Sequence, residues 1–331
     1  MICYTEGDTV TFTVAESDAD FYHLSSNHLK DAKESRPLVP HLSTFGTTVP
    51  MLAIQVTVFP NTRIYIGLSH HHTSCDGRGF THFMRTWASI SKLGAGFGSL
   101  SSDQSLPILD RTVIKEQDDM LKMFLDKLDG FMGSESVSGN RILSVMDVEL
   151  QPNMVRATLQ LMKQVVRNSR NGCSLDEKTQ TRSINPPSRL VAICAYTWIC
   201  LLKAEAKVGG SNTNNMTLFV LTVDCRARLD PPVPEAYLGN CMRPYVVVTN
   251  KSDLMRGGIG LAAQLIGDEV HEMHKGILRG MGRMAHSVSG LIDMPPNRVL
   301  VGAGSPRFGY YKTDFGFGRP KKVETTSIDR T

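Results

Sequence analysis

Residues 63–80 read RIYIGLSHHHTSCDGRGF, and this stretch joins a predicted strand to a predicted helix. Its first part, Arg63 to Leu68, predicts a β-strand. After Gly77 apolar side chains recur at helical spacing, which predicts a helix. These side chains are Phe80, Phe83, Trp87 and Ile90. The polar run 69–77 therefore lies at a strand-to-helix junction, where polar side chains can face a cleft.

Upstream of this stretch the sequence predicts two more strands and a short helix. Residues 52–58 alternate between apolar and polar, and the turn Pro-Asn-Thr at 60–62 joins them to the strand at Arg63 in a hairpin. A shorter alternating strand is predicted at 10–14. Ser17, with Asp20 three residues later, predicts a capping box for the helix that follows.

The second half of the chain repeats the alternation of helices and strands. Residues 168–185 are polar and end at two prolines, so this stretch is the predicted crossover between domains. The predicted elements around it are a strand at 155–159, a buried helix at 190–204, strands at 218–223 and 245–248, and an amphipathic helix at 254–278. We therefore predict two α/β domains, residues 1–185 and 186–331.

Composition restricts the class of protein. The chain has 331 residues, 41% of them hydrophobic and 21% charged, and no apolar run reaches the ~18 residues of a membrane span. The net charge of +4 is dispersed, so nucleic acid and membrane are not expected as partners. The seven cysteines form no CxxC pair and no secretory signal is visible, which predicts reduced thiols in the cytoplasm.

His72 is the candidate general base within the polar run. An alcohol is a poor nucleophile until it loses its proton, and a histidine with a pKa of about 6.5 accepts that proton at neutral pH. Asp76 precedes a glycine and can brace a tight turn. Two other interpretations stay open here: the three histidines are polar residues at a strand end, or they bind a metal ion. Consecutive strand residues point to opposite faces, which disfavours the metal.

A second motif lies far downstream, where residues 313–320 read TDFGFGRP. Together with HTSCDG at 72–77, it resembles the motif pair HxxxDG and DFGWG of the BAHD family of plant acyl-CoA-dependent acyltransferases. Phe317 stands where that family usually has tryptophan. A protein kinase also carries Asp-Phe-Gly, but the chain has no HRD loop, VAIK strand or Gly-rich phosphate loop.

Further segments are similar to the same family along most of the chain. The matching segments are VRAT (155–158), CAYTW (194–198), DCRAR (224–228), the prolines at 231–232, and YLGNC (237–241). The last of these and the run GRPKKVE at 318–324 are most similar to the branch that malonylates flavonoid and phenolic glucosides.

This resemblance implies a fold, a reaction and its substrates. The fold would consist of two chloramphenicol-acetyltransferase-like α/β domains joined by a crossover loop, with a channel between them. The reaction would transfer malonyl directly from malonyl-CoA to a sugar hydroxyl of the acceptor, without an acyl-enzyme. Acyl-CoA would then be a co-substrate, with no permanently bound cofactor and no metal, and the enzyme would be a cytoplasmic monomer.

The resemblance also assigns roles at the catalytic loop. His72 and Asp76 are the expected catalytic residues. Arg226 matches a family arginine that pairs with the motif aspartate, so an Asp76–Arg226 ion pair is expected to hold the loop. The alternative for Arg226 is a position on an exposed basic strand edge.

Other residues receive roles in the pocket or in the framework. Arg156 is expected in the acyl-CoA pocket, where a planar guanidinium suits a malonyl carboxylate, or else on the surface. Asn240 is expected near the substrate, or else in a polar turn. The resemblance makes the second motif structural, with Asp314, Gly316 and Gly318 in a turn away from the reacting atoms.

The family's pattern extends beyond both ends of this sequence. By that pattern the first domain lacks its first elements, and the second domain lacks its closing strands. Two functions are therefore considered. One is an acyltransferase with His72 as its base, and the other is a catalytically inactive truncated paralogue or fragment with at most a binding role.

Overall fold

The computed structural model describes residues 2–43, 48–94, 105–115, 155–172, 187–208, 216–279 and 299–325. The strands in these ranges are β1 (Thr11–Glu16), β2 (Lys30–Asp31), β3 (Leu52–Phe59), β4 (Arg63–His70), β5 (Val155–Arg156), β6 (Met216–Asp224), β7 (Met242–Asn250) and β8 (Val299–Gly302). The α-helices are α1 (Phe21–Leu24), α2 (Gly77–Leu93), α3 (Lys163–Gly172), α4 (Arg189–Lys207) and α5 (Lys251–His274). Of the helices in the described ranges, none is long and apolar enough to cross a lipid bilayer.

The first sheet has the strand order β1-β3-β4. β3 and β4 are antiparallel and pair Leu52 with His70 and Phe59 with Arg63, which confirms the predicted hairpin. Asn61 in its turn has a φ of 57°, a left-handed conformation in which asparagine is enriched. β1 lies parallel to β3, so the predicted strand near residues 10–14 is also present.

Different parts of the chain cover the two faces of this sheet. Side chains alternate across a strand, so His70 and Tyr65 of β4 point to opposite faces. His70 stacks on Phe80 of α2 with ring centroids 4.1 Å apart. Tyr65 packs on the other face against a buried cluster made of Phe21, Leu24, Leu38 and Phe59. α2 begins directly after the histidine loop, as predicted.

The start of α1 differs from the prediction. Asp20 is the N-cap, and its carboxylate accepts hydrogen bonds from the Tyr22 amide at 2.8 Å and the His23 amide at 3.1 Å. Ser17 instead accepts from the Ala19 amide before the helix begins. The predicted capping box is therefore wrong, because the residue immediately before the helix carries the better acceptor.

The second sheet has the order β7-β6-β8, with β6 antiparallel to β7 and parallel to β8. β6, β7 and the two long helices were predicted, whereas β8 was not, because it is only four residues long. α5 ends at His274, earlier than expected. Gly276, just beyond it, has a φ of 135°, which lies outside the helical range, so the helix cannot continue through this residue. The buried core of this half is Val191, Ala195, Trp198, Ile199, Leu202, Phe219, Leu221, Val247, Leu254, Ala262, Ala263 and Ile266.

Two elements between the sheets also differ from the prediction. The strand expected at 155–159 is confined to β5, because its partner β2 offers only two residues for pairing. The polar crossover expected from residue 168 begins inside α3, which packs against α4. Residues 173–186 lie outside the described ranges, and the domain boundary stays a prediction.

Gly67 allows the chain before β3 to dock on β4. A Cβ atom at this position would overlap the carbonyl oxygen of Leu38 and lie 3.1 Å from the Cα of Val39. Ser69, two residues later, donates a hydrogen bond to the carbonyl of Pro40. Residues 38–40 are thus held against β4 shortly before the histidine loop.

We expect Gly67→Ala to destabilise the fold, because backbone atoms rather than a flexible side chain occupy the space of the new methyl group. Overpacking of this kind costs about 1–3 kcal/mol, which denaturant unfolding would measure. Gly267→Ala in α5 is the matched control, since nothing lies within 4 Å of its Cβ position and alanine favours a helix. An equal loss of stability in both variants would contradict the prediction.

Candidate active site

The candidate site is built on the loop between β4 and α2. The loop begins where the His71 amide donates to the carbonyl of Met51 at 3.1 Å, and it turns where the Ser74 amide donates to the carbonyl of His71 at 2.9 Å. It ends at Asp76, the N-cap of α2, whose carboxylate accepts from the Gly79 amide at 2.9 Å. Hydrogen bonds therefore fix the loop at both ends.

The three histidines of this loop have different surroundings. Burial, followed by the charges of His72 and His71, lowers the pKa of His70 to about 4, so His70 is neutral where it stacks on Phe80. His71 is buried, with its ring nitrogen 3.2 Å from the carbonyl oxygen of Ser43. His72 alone is exposed. Within the described part of the chain, no three metal-ligating side chains form a group.

Arg226 holds the carboxylate of Asp76 in a bidentate pair. Its two terminal nitrogens donate to the two carboxylate oxygens at 2.9 and 3.0 Å. The two residues are only 1% and 3% exposed, respectively. The Cys241 amide adds a further hydrogen bond to Asp76 at 2.9 Å. The structure therefore brings together two predicted residues that lie 150 positions apart in the sequence.

Arg226 also gathers the surrounding backbone of the second half. It donates to the carbonyls of Tyr237 at 3.1 Å and Gly239 at 2.9 Å, and it pairs with Asp224 at 2.9 Å. Asp224 in turn pairs with Arg78 of α2 at 2.7 Å. Acidic and basic groups therefore alternate across the junction of the two halves, which spreads the cost of burying charge. No signal in the sequence had marked Arg78.

Asn240 contacts the backbone of the catalytic loop. Its side-chain amide donates to the carbonyl of His72 at 2.7 Å. This places Asn240 beside the predicted base, where it fixes the turn that carries the imidazole. A contact with substrate at Asn240 stays a prediction.

Arg156 lies in a separate charge cluster. It pairs with Glu324 at 3.8 Å, and the same carboxylate contacts Lys30 at 2.9 Å and Lys322 at 3.7 Å. Burial, followed by the charge of Glu324, raises the pKa of Tyr65 in β4. The structure therefore places Arg156 in a charge cluster around Glu324, and its contact with a malonyl carboxylate stays a prediction.

The second motif forms a turn at the far end of α2. The carboxylate of Asp314 accepts from the Gly316 and Gly318 amides at 2.9 and 3.0 Å and pairs with Lys92 at 2.6 Å. Both glycines have positive φ, 102° and 94°, which side chains rarely adopt. α2 separates Lys92 from Asp76 by about 24 Å, so the turn lies away from the base.

Known proteins match the sequence along its whole length. The model of the Transferase family matches residues 1–331. A malonyl-coenzyme:anthocyanin 5-O-glucoside-6'''-O-malonyltransferase of Salvia splendens is 34% identical over 98% of this chain and 68% of that protein. Phenolic glucoside malonyltransferase 1 of Nicotiana tabacum is 32% identical over 98% of this chain and 70% of that protein. The chain thus spans about two thirds of the length of these relatives.

Solved structures match the fold. TRI101 of F. graminearum, complexed with coenzyme A and T-2 mycotoxin, has a TM-score of 0.59 at 15% identity, covering 95% of this chain and 70% of that chain. Vinorine synthase has a TM-score of 0.55 at 16% identity, covering 92% and 64%. Identities this low show the fold alone, and they confirm the predicted α/β fold class.

The ionisation of Asp76 is expected to make stability depend on pH. Burial by itself would raise its pKa, but hydrogen bonds from Arg226 and from the Gly79 and Cys241 amides hold the pKa below its ordinary value. The stabilisation is therefore complete above the ordinary carboxyl pKa of about 4 and is lost as the pH falls through the lower folded-state value.

Asp76→Asn should therefore lose about 1.5–3 kcal/mol at neutral pH, because it removes the bidentate carboxylate of the buried Arg226 and leaves Asp224 as the carboxylate that still pairs with it. The difference from wild type should shrink as the pH falls below about 4. Urea unfolding at several pH values would measure it, with Asp253→Asn, from an exposed ion pair with Arg256, as the control. If the difference in free energy of unfolding between wild type and Asp76→Asn stayed constant down to pH 3, the ionisation of Asp76 would not be linked to stability.

Proposed function

Because this chain belongs to the Transferase family of BAHD acyltransferases, we propose that it transfers malonyl from malonyl-CoA to a sugar hydroxyl of a phenolic or flavonoid glucoside. The names of the related malonyltransferases support this donor and this acceptor class. The loop between β4 and α2 supports the proposal most directly, because it presents an exposed His72 four residues before the aspartate of the buried Asp76–Arg226 pair.

His72 acts as the general base in this proposal. It takes the proton of the sugar hydroxyl as the hydroxyl oxygen attacks the thioester carbonyl carbon. A C–O bond forms, the C–S bond breaks, and the CoA thiolate leaves. Its thiol has a pKa of about 8.5, so the protonated histidine can return the proton to the sulfur. No acyl-enzyme is needed, because both substrates meet in a ternary complex.

Asp76 contributes to this reaction through position. An ionised carboxylate has about four acceptor sites. Two are filled by Arg226 and the others by the Gly79 and Cys241 amides. The carboxylate is therefore saturated and orients the loop, while His72 contacts the reacting atoms. Small displacements of a base reduce turnover strongly, so a rigid turn has catalytic value.

The two halves are proposed to form the walls of a substrate channel. The loop belongs to the first half, and residues 237–241 of the second half contact it through Arg226 and Asn240. CoA would enter this channel from one side and the acceptor from the other. The described cysteines are all free thiols, which supports the proposed cytoplasmic location. The monomeric state is also a proposal.

His72→Ala should lower the turnover number by about two to four orders of magnitude, the usual contribution of a general base. Malonyl transfer from malonyl-CoA to a phenolic glucoside would be followed chromatographically. His274→Ala, at an exposed position near the end of α5, is the matched control. Near-normal turnover in His72→Ala, or a trapped covalent malonyl-enzyme, would refute the mechanism.

Arg156 is proposed to recognise the malonyl carboxylate. Three cationic side chains surround one carboxylate at Glu324, and this excess of positive charge supports the proposal. Arg156→Ala should then reduce kcat/KM for malonyl-CoA far more than for acetyl-CoA, since only the first donor carries the carboxylate. Arg63→Ala, on the exposed start of β4, is the control. Equal losses with both donors would assign Arg156 a structural role instead.

A further inference from the structure

Residues 105–115 form a bridge between the catalytic loop and the second half. Ile108 makes a parallel β-bridge with Tyr237, its amide donates to the carbonyl of Ala236 at 2.9 Å, and its carbonyl accepts from the Leu238 amide at 2.8 Å. Asp110 then caps a short 3₁₀ helix, accepting from the Thr112 amide at 2.9 Å. The backbone on both sides of Arg111 is therefore fixed.

Arg111 extends from this bridge to the loop. One terminal nitrogen donates to the carbonyl of Ser74 at 2.9 Å, and the other donates to the Tyr237 hydroxyl at 3.1 Å. The guanidinium carbon also lies 5.5 Å from the centre of the Tyr237 ring, within range of a cation–π interaction. A Cβ atom at residue 239 would overlap the guanidinium, so Gly239 leaves the space that Arg111 occupies.

Two side chains therefore hold the carbonyls of the turn that carries the base. Asn240 donates to the carbonyl of His72, and Arg111 donates to the carbonyl of Ser74. Asp76 fixes the end of the same turn from the buried side. The imidazole of His72 is exposed, so its position is set by the backbone beneath it.

We propose that Arg111 is a positioning residue for acyl transfer, which holds the Ser74 carbonyl and thereby the turn of His72, while Tyr237 orients the guanidinium. This inference rests on the proposed function in assigning His72 as the base. A planar guanidinium reaches both acceptors at once, whereas the point charge of a lysine does not. No signal in the sequence had marked Arg111 or Tyr237 individually.

The first test measures the turn directly. Hydrogen–deuterium exchange of the full chain without substrate would compare wild type with Arg111→Met. We expect the amides of residues 71–76 to exchange about 10-fold or more faster in the variant, because the turn opens more often. Arg256→Met removes an exposed arginine on α5 and is the control, with no change expected at this loop. Unchanged exchange at residues 71–76 in Arg111→Met would overturn the proposal.

The second test separates positioning from donor binding. Arg111→Met should lower kcat by about 10- to 100-fold with malonyl-CoA and acetyl-CoA alike, while KM for each donor stays within about 3-fold. Arg111→Lys should recover part of kcat, and adding Tyr237→Phe to Arg111→Met should cause little further loss, because both changes break one network. A rise in KM for malonyl-CoA alone, or fully additive losses, would overturn the proposal.

The two tests also separate this proposal from the proposed function. If the wild-type chain transfers no acyl group, the proposed function fails, and the exchange rates alone decide whether Arg111 holds the turn. If wild type is active and Arg111→Met matches it in both exchange and kcat, the function stands and the role of Arg111 is refuted.

Discussion

The buried pair of Asp76 and Arg226 is the constraint on which the site depends. Removing two charges from water is costly, and the cost is offset only where the geometry is good and the remaining donors and acceptors are satisfied. Here the carboxylate receives four hydrogen bonds, and the terminal nitrogens of the arginine also bind Asp224 and two backbone carbonyls, while its buried Nε has no hydrogen-bond partner among the described residues. The loop therefore takes its shape when both halves are docked. The same ion pair stabilises the junction and sets the position of the base.

The segment that carries the second motif has a similar joining role at the first sheet. Asp314 is tied to Lys92 at the end of α2, on one face of that sheet. Lys321 lies 4.5 Å from the centre of the Tyr22 ring, and Glu324 pairs with Lys30 on the other face. Residues 314–324 therefore pass from one face to the other, although they lie near the end of the second half in the chain. The motif acts on the base only indirectly, through the placement of α2.

Local patterns in the sequence predicted the elements well and the contacts between them poorly. Alternating apolar residues were sufficient for the β3–β4 hairpin and helical spacing for α2, because each pattern reports burial within one element. The N-cap at Asp20 was missed because Ser17 and Asp20 both carry a side-chain oxygen that can accept a hydrogen bond from a helix amide, and the sequence does not say which one does so. The expectation that Arg226 meets Asp76 came from motif resemblance, since nothing local reports a contact across 150 positions. Arg111 was missed for the same reason, because its partners Ser74 and Tyr237 belong to two segments that are distant in the sequence.

The passage of residues 314–324 across the first sheet has a consequence for synthesis on the ribosome. The first half emerges early, yet Lys30 and Lys92 receive their partners from a segment more than 200 residues later. At roughly 5–20 residues per second, this delay amounts to tens of seconds. During that interval Lys30 and Lys92 lack their carboxylate partners, and the cover that residues 314–324 give to the first sheet is absent. It is therefore the stage at which chaperones and proteases would act on this protein most strongly.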